Sequence, residues 1–170
     1  MGDDRGQSAI HQARLHAMVT QHQGTLLKVC YAYLLNAEEA RDAVQETFLK
    51  AYLHMANFRG DGSEKSWLIK IARNTCLDMR RSAWFRRVDK RVCLEDLPIP
   101  AAPAVSEEDM TLTAAVLNLP PKLKDAVILY YFQNLSMQET AEILGISQPS
   151  VSSRLNRARK KLKTQLEGEA

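Results

Sequence analysis

Basic side chains in two separate stretches are the residues best suited to a chemical task, and that task is binding a polyanion. Between Lys70 and Arg91 eight residues are basic and two are acidic, and between Arg154 and Lys163 six are basic and none is acidic. Clustered lysines and arginines contact phosphates and release counterions, so the sequence predicts contact with a nucleic acid at two places. Charge alone leaves solvated helix faces open as the alternative.

Patterns for catalysis or metal binding are missing from the sequence. It has no phosphate-binding glycine-rich loop, no carboxylate pair with a histidine and no serine–histidine–aspartate arrangement, so we expect no enzyme and name no catalytic residue. Three histidines between residues 11 and 22 do not share a helical face, and we expect no metal ion and no other cofactor. The three cysteines are too widely spaced to predict structural disulfides or zinc. They are Cys30, Cys76 and Cys93.

Length and composition are those of a globular protein. The 170 residues, 45% of them hydrophobic, suffice for one medium domain or two small ones. No run approaches the roughly 18 to 20 consecutive apolar residues that cross a bilayer, and residues 1–12 lack the pattern of a secretory signal. We expect a cytoplasmic protein with no membrane insertion of its own.

An acidic, proline-rich segment separates the two basic stretches. Residues 94–110 contain three prolines and five acidic residues but no basic one. Proline lacks a backbone donor and interrupts helices, so this composition predicts a flexible, semi-extended linker. Both flanking parts show helical periodicity, and the sequence therefore predicts an all-α protein with two small helical domains, residues 1–93 and 111–170.

Apolar residues recur at helical spacing in three segments of the first domain. One helix covers Leu26 to Leu34, and a second begins after Asn36, the expected N-cap. The core side of this second helix is expected to carry Ala40, Val44, Phe48, Ala51 and Met55. The opposite side mixes polar groups with two leucines: Asp42, Gln45, Glu46, Leu49 and Leu53. Such a face suits a protein partner, although a solvated face with two stray leucines is the alternative.

A third helix, from about Glu64 to Arg81, has a basic face. Its apolar side is expected to carry Trp67, Leu68, Ile71, Ala72, Thr75 and Met79. The face across from it carries Lys70, Arg73, Asn74, Leu77, Arg80 and Arg81. Its polar side chains can hold phosphates, and its amide can contact a base. Trp84 and Phe85 follow between arginines and could stack on unpaired bases, with core packing as the commoner role of a tryptophan.

The second domain contains the pattern of a helix-turn-helix. Before it, a short helix ends at Pro120, and a longer one follows with Leu123, Val127, Tyr130 and Tyr131 on its apolar side. Ser136 and Glu139 form a capping box at the start of the first helix of the motif. Gly145 lies at the turn, and Ser147 caps the second helix, which has Pro149 in its first turn. This arrangement predicts two helices joined by a short turn.

The second helix of this motif is the candidate DNA-reading element. Its buried side is expected to carry Val151, Leu155, Ala158 and Leu162. The candidate DNA contacts are Ser150, Ser152, Ser153, Arg154, Asn156, Arg157 and Lys160. Outward residues of such a helix reach base edges in the major groove, while Arg154, Arg159 and Lys161 are better placed for phosphates. A helical hairpin that binds no nucleic acid is the alternative.

Three segments together resemble the extracytoplasmic-function (ECF) sigma factors of bacterial RNA polymerase. The run DAVQETFLKAY, residues 42–52, is similar to the family segment that binds the clamp helices of the largest polymerase subunit. FRG followed by WLIKIARNTCLDMRR, ending at residue 81, is similar to the segment that recognises and opens the minus-10 element. The segment from LPPKLKDAVILYY to RARKKL, residues 119–162, resembles the domain that reads the minus-35 element.

The resemblance implies partners and roles. It implies core RNA polymerase as the partner of the Asp42-to-Leu53 face, promoter DNA as the ligand of both basic stretches, and an anti-sigma factor as inhibitor. It further implies that the loop Gly60 to Ser66 captures an extruded base and that the linker runs toward the RNA exit path. The remaining alternative is a stand-alone helix-turn-helix regulator, which would normally need a dimer interface or a sensor domain.

Overall fold

The computed structural model describes residues 3–60, 62–84 and 107–168, and every regular element in these ranges is a helix. The chain divides into two compact units, residues 1–89 and 90–170. This confirms the all-α class and the two helical domains. The predicted linker lies outside the described residues up to position 106, and its last four residues begin a helix. Also outside them are Phe85, Arg86, Arg87, Lys90, Arg91 and Cys93, with the side chain of Trp84.

Within residues 3–60 and 62–84, the first unit has three α-helices that all pack against one another. They are α1 (Asp3–Leu34), α2 (Ala37–Leu53) and α3 (Glu64–Trp84), with a 3-10 turn (Met55–Asn57) after α2. Asn36 caps α2 as predicted, because its Oδ1 accepts from the backbone N–H groups of Glu38 and Glu39, each at 3.0 Å. The predicted core side of α2, from Ala40 to Met55, is buried. This burial turns the opposite side of α2 outward.

The buried stripe of α3 differs from the predicted one. Leu68, Ala72 and Thr75 are buried as expected, but Ile69 and Cys76 are also completely buried. Trp67, Ile71 and Met79, which were expected on the core side, are only half-buried. The reason is that α3 packs against both α1 and α2. Two neighbours cover a wider and slightly rotated stripe than a single apolar face predicts.

In the second unit, the described residues 107–168 form four α-helices and one π-helical turn. They are α4 (Glu107–Leu117), α5 (Pro121–Val127), the π turn (Ile128–Phe132), α6 (Met137–Leu144) and α7 (Gln148–Gly168). Helix α7 packs against α4, α5 and α6, so it lies at the centre of this unit. The core of the second unit combines apolar residues from all four α-helices: Val116, Leu119, Leu123, Ala126, Val127, Ala141, Val151, Leu155 and Ala158.

The π turn corrects the prediction for Tyr131. A continuous α-helix would place Tyr131 on the same apolar side as Val127, but the structure exposes Tyr131 by 44% and Phe132 by 51%. A π turn adds one residue to a helical turn and rotates the following side chains around the axis. Tyr130 packs against the core in a half-buried position, and Tyr131 is turned outward.

The helix-turn-helix forms as predicted. The capping box is complete, since Ser136 Oγ accepts from the Glu139 N–H at 3.0 Å and Glu139 Oε2 accepts from the Ser136 N–H at 2.9 Å. Gly145 ends α6 with φ 65°, in the left-handed region that favours glycine. Ala141 and Val151 are buried where the two helices meet. The outer side of α7 is thereby held in a defined orientation to its own unit.

Leu155→Ala is expected to lower the free energy of unfolding of the second unit by about 2–5 kcal/mol, the usual cost of a large-to-small change in a core. Leu155 is completely buried in the centre of this core. Urea unfolding followed by helical circular dichroism measures the change. Leu162→Ala is the matched control, because Leu162 lies on the same helix and is only half-buried. Equal effects of the two substitutions would contradict the assigned core.

Candidate protein and nucleic-acid interfaces

The outer side of α2 brings the five predicted partner-binding residues together. All five are exposed: Asp42, Gln45, Glu46, Leu49 and Leu53. Leu49 is 55% and Leu53 is 67% exposed, on a helix whose other side is fully packed. We call these five residues the α2 face. Two leucines one helical turn apart, beside two carboxylates and an amide, combine the apolar and polar groups of a protein–protein interface.

Lys50 connects the α2 face to α3, which the sequence pattern did not indicate. Its Nζ donates to Thr75 Oγ1 at 3.1 Å and lies 3.7 Å from Glu46 Oε1. The pairing with Glu46 could have been read from the four-residue spacing. The bond to Thr75 joins residues 25 positions apart, so no local signal predicts it. Lys50 thereby restrains one carboxylate of the α2 face.

The basic face of α3 is exposed over most of its length. Lys70, Asn74, Arg80 and Arg81 are exposed, and Arg73 is half-buried. Arg73 Nη1 donates to Asn74 Oδ1 at 3.3 Å, and Arg81 lies 4.0 Å from Asp78. The last pair is largely solvent-exposed, where an ion pair contributes little to stability. The five predicted side chains therefore share one face that a polyanion can reach.

A cluster of side chains that the sequence pattern did not indicate connects α1 to the residues around the loop before α3. His22 Nε2 lies 3.1 Å from Glu64 Oε1, and Arg14 lies 3.9 Å from Glu64 Oε2. The Arg14 guanidinium also stands over the Phe58 ring at 5.2 Å, and Phe58 contacts Trp67 with ring centres 4.7 Å apart. Helix α1 thus contacts Phe58, which precedes the loop predicted to capture a base, and Glu64, which lies within that loop.

Two buried cysteines meet between α1 and α3. Cys30 and Cys76 are free thiols without exposed surface. The hydrogen bond to Cys30, together with burial, raises the pKa of the Cys76 thiol far above its usual range. Burial of the neutral thiols is typical of free cysteines, which pack as small hydrophobic residues.

Raising the pH is expected to destabilise the first unit because of Cys76. A thiol pKa that is higher in the folded state adds stability below the ordinary thiol pKa, roughly 8.5, and this stability is lost as the pH rises above it. Above that pH the free energy of unfolding should fall by roughly 1 kcal/mol per pH unit. Urea unfolding followed by tryptophan fluorescence at pH 8 to 10 measures it. Cys76→Ala should flatten this dependence, and an unchanged slope would contradict the explanation.

The outer side of α7 carries the predicted DNA-contacting residues. All of them are exposed except Arg154, which is half-buried. Ser150 also belongs to the helix cap, since its N–H donates to Ser147 Oγ at 3.3 Å and the two hydroxyls lie 2.8 Å apart. Ser152, Ser153, Asn156, Arg157 and Lys160 therefore form the accessible polar surface, with Arg159 at its edge.

Arg159 has two partners that the sequence did not indicate. Its Nε donates to the Tyr131 hydroxyl at 2.6 Å, and its Nη1 donates to Asn156 Oδ1 at 2.8 Å. The guanidinium carbon also lies 5.7 Å from the centre of the Tyr131 ring. The outward rotation at the π turn makes the contact with Tyr131 possible, which explains why helical spacing alone missed it.

Comparison with known families identifies both units. Residues 18–86 match the family described as Sigma-70 region 2, and residues 109–162 match Sigma-70, region 4. The two matches together span more than half of the chain and cover the interfaces described above. The chain belongs to the ECF sigma factor family.

Individual relatives agree with this assignment. This sigma factor is 32% identical over 159 residues to RNA polymerase sigma factor SigV of Bacillus subtilis, covering 91% of this chain and 92% of SigV. It is 30% identical over 162 residues to ECF RNA polymerase sigma factor SigW of the same organism, covering 88% and 87% of the two chains. The protein is therefore a transcription initiation factor that acts with RNA polymerase at promoters.

A solved structure supports the fold. The sigma factor RpoE of Bartonella quintana, solved together with the anti-sigma factor NepR, is similar with a TM-score of 0.75 at 23% sequence identity. The match covers 89% of this sigma factor and 96% of that chain. At this level of identity the similarity concerns the fold.

The described residues of the sigma factor contain no candidate metal site and no candidate membrane span. Within residues 3–60, 62–84 and 107–168, no three His, Cys, Asp or Glu side chains come close enough together to hold a metal ion. No helix in the same ranges has the length and apolar character that a membrane span requires.

Proposed function

We propose that this sigma factor binds the clamp helices of the largest subunit of core RNA polymerase through the α2 face. The observation that carries the proposal is the exposure of Leu49 and Leu53 beside Asp42 and Glu46 on a helix whose other side is buried. The leucines can be buried against apolar side chains of the partner, and the carboxylates can pair with basic side chains of the partner.

The basic face of α3 is proposed to recognise and open the minus-10 element. Lys70, Arg73, Arg80 and Arg81 supply cations for the phosphate backbone, and Asn74 lies among them for contact with a base. Extruding a base costs a few kcal/mol of lost stacking. Capture of that base by the loop before α3 would offset this cost, and the contacts of Glu64 with His22 and Arg14 support the loop.

Helix α7 is proposed to read the minus-35 element in the major groove. A helix of this diameter fits the groove, and the side chains nearest its N-terminus reach base edges. Ser150, Ser152, Ser153 and Asn156 carry hydroxyl and amide groups for base contacts, and Arg154, Arg157 and Lys160 carry cations for phosphates. These assignments rest on their position on the outer side of α7.

The two DNA-binding domains are proposed to recognise the promoter together. Each alone makes few phosphate contacts and would bind duplex DNA mostly without sequence selection. When the polymerase holds both, the second contact forms at high effective concentration, and two weak interactions become one specific interaction. We assign residues 1–93 and 111–170 to the two domains and residues 94–110 to the linker. The protein is then an accessory subunit that catalyses no reaction and works in the cytoplasm.

An anti-sigma factor is proposed to control the protein. Its target would be the α2 face, since an inhibitor that covers Leu49 and Leu53 excludes the polymerase by competition. The exposed leucines support this idea, because a partner of either kind has to bury them. RpoE of Bartonella quintana, which has the same fold, forms a complex with the anti-sigma factor NepR.

The deciding experiment is run-off transcription on genomic DNA with core polymerase, alone and with the purified protein, followed by mapping of start sites. New start sites that share minus-10 and minus-35 sequences are expected only when the protein is present. If the protein instead protects promoter DNA without polymerase and adds no start sites, a stand-alone helix-turn-helix regulator becomes the better explanation.

A further inference from the structure

A chain of hydrogen bonds joins a residue outside the helix-turn-helix to a candidate base-reading residue. Arg159 lies in the middle, donating from Nε to the Tyr131 hydroxyl at 2.6 Å and from Nη1 to Asn156 Oδ1 at 2.8 Å. The guanidinium carbon lies 5.7 Å from the centre of the Tyr131 ring. Two hydrogen bonds and a cation–π contact together restrict the orientation of this guanidinium.

Tyr131 is itself fixed by the fold. It follows directly on Tyr130, whose ring meets it edge-on with centres 5.0 Å apart and planes at 85°. Tyr130 packs on the hydrophobic core of the second unit. The π turn, Ile128–Phe132, sets the direction of both rings. Arg159 therefore bonds to an exposed tyrosine whose ring packs against Tyr130, which is in turn packed on the core.

The bond from Arg159 determines how Asn156 presents its amide. Arginine only donates, so the atom facing it must be the carbonyl oxygen Oδ1, and the amino group lies on the other side of the planar amide. An asparagine that reads adenine uses both ends at once, accepting from N6 with Oδ1 and donating to N7 with Nδ2. Engagement of Oδ1 by a cation competes with the first of these bonds and leaves Nδ2 as a donor.

We propose that Tyr131 and Arg159 are positioning residues that set the base preference of Asn156, disfavouring adenine. A donating amide prefers base edges whose acceptors have no amino donor from the same base beside them: guanine presents N7 and O6 and thymine presents O4, whereas adenine presents N7 next to its N6 amino group. This inference rests on the proposed reading of DNA by α7. It goes further in assigning a role in sequence selection to a tyrosine that lies outside the helix-turn-helix.

The test is a selection from DNA in which the minus-35 region is randomised. The full-length protein is combined with core polymerase, bound molecules are sequenced, and base frequencies at each position are compared between variants. Wild type should show one position rich in guanine or thymine and poor in adenine. In Arg159→Ala the adenine frequency at that position should rise about tenfold relative to guanine, within the range expected for one bidentate base contact. Tyr131→Phe should shift it in the same direction by a smaller factor.

Controls separate positioning from lost charge and from misfolding. Lys163→Ala removes a cation that lies one turn after Arg159 on α7. Lys163 pairs with Glu167, whereas Arg159 bonds to Asn156. Loss of a phosphate contact weakens binding to all sequences alike, so this variant should leave the base frequencies unchanged. Asn156→Ala should remove the preference at the same position, which identifies the base that Asn156 reads. Circular dichroism melting confirms that each variant is folded.

The outcomes are distinguishable from failure of the proposed function. A wild-type complex that enriches no minus-35 sequence contradicts the reading of DNA by α7, and the inference falls with it. A wild-type motif whose Asn156 position is unchanged in Arg159→Ala and Tyr131→Phe overturns this inference alone. An increase of adenine at that position in both variants, with the other positions constant, supports it.

Discussion

Replacing Asp42 and Glu46 together by lysine is expected to weaken binding of core polymerase by at least about 100-fold. The two carboxylates lie exposed on the α2 face beside Leu49 and Leu53, and Glu46 pairs with Lys50 at 3.7 Å. Placing like charges opposite the basic groups of a partner costs several kcal/mol. Fluorescence anisotropy of labelled protein titrated with core polymerase, without DNA, measures the loss.

The fold of this variant should be unaffected. Both positions are exposed and lie outside the first turn of α2, so the helix keeps its Asn36 cap. The matched control reverses two exposed carboxylates of the second unit, Glu142→Lys and Glu167→Lys, which changes the net charge by the same amount. If this control loses as much affinity as the Asp42 and Glu46 variant, or if neither does, the α2 face is not the polymerase-binding surface.

Features that depend on one helix at a time could be predicted from the sequence. The two sides of α2 follow from side-chain spacing along a single helix, which is why the buried Ala40 and the exposed Leu49 are both placed as expected. The capping box of Ser136 and the left-handed Gly145 are also local, and both occur in the structure. Local signals therefore sufficed for the fold class, the helix-turn-helix and the exposure of the α2 face.

Features that depend on contacts between distant elements could not be predicted. His22 and Glu64 are 42 residues apart, and Tyr131 and Arg159 are 28 apart. No periodicity within one helix links such pairs. The π turn adds a second obstacle, because it rotates Tyr131 away from the side that helical spacing assigns to it. The sequence thus indicated the outward sides of α2 and α7, but not which side chains hold one another in place.

Removal of three cations from α3 is expected to abolish most promoter binding while polymerase binding persists. The substitutions are Lys70→Ala, Arg73→Ala and Arg80→Ala, all on the basic face of α3. The logarithm of the DNA-binding constant falls linearly with the logarithm of the salt concentration, and each phosphate contact contributes about 0.7 to 0.9 to that slope. Loss of three contacts should therefore reduce the slope by about 2 to 3. At 0.2 M salt this corresponds to roughly 50-fold weaker binding.

Binding of the reconstituted holoenzyme to forked promoter DNA, measured at several salt concentrations, gives both the affinity and the slope. The matched control removes three exposed cations of the same unit that lie outside α3: Arg5, Lys28 and Arg41. Both triple variants change the net charge equally, so a general electrostatic effect would lower the two affinities alike. The assignment of α3 requires a larger change in slope for its own variant than for the control. A variant that keeps the wild-type slope would mean that these cations do not face DNA, and another surface of the first unit would have to hold the minus-10 element.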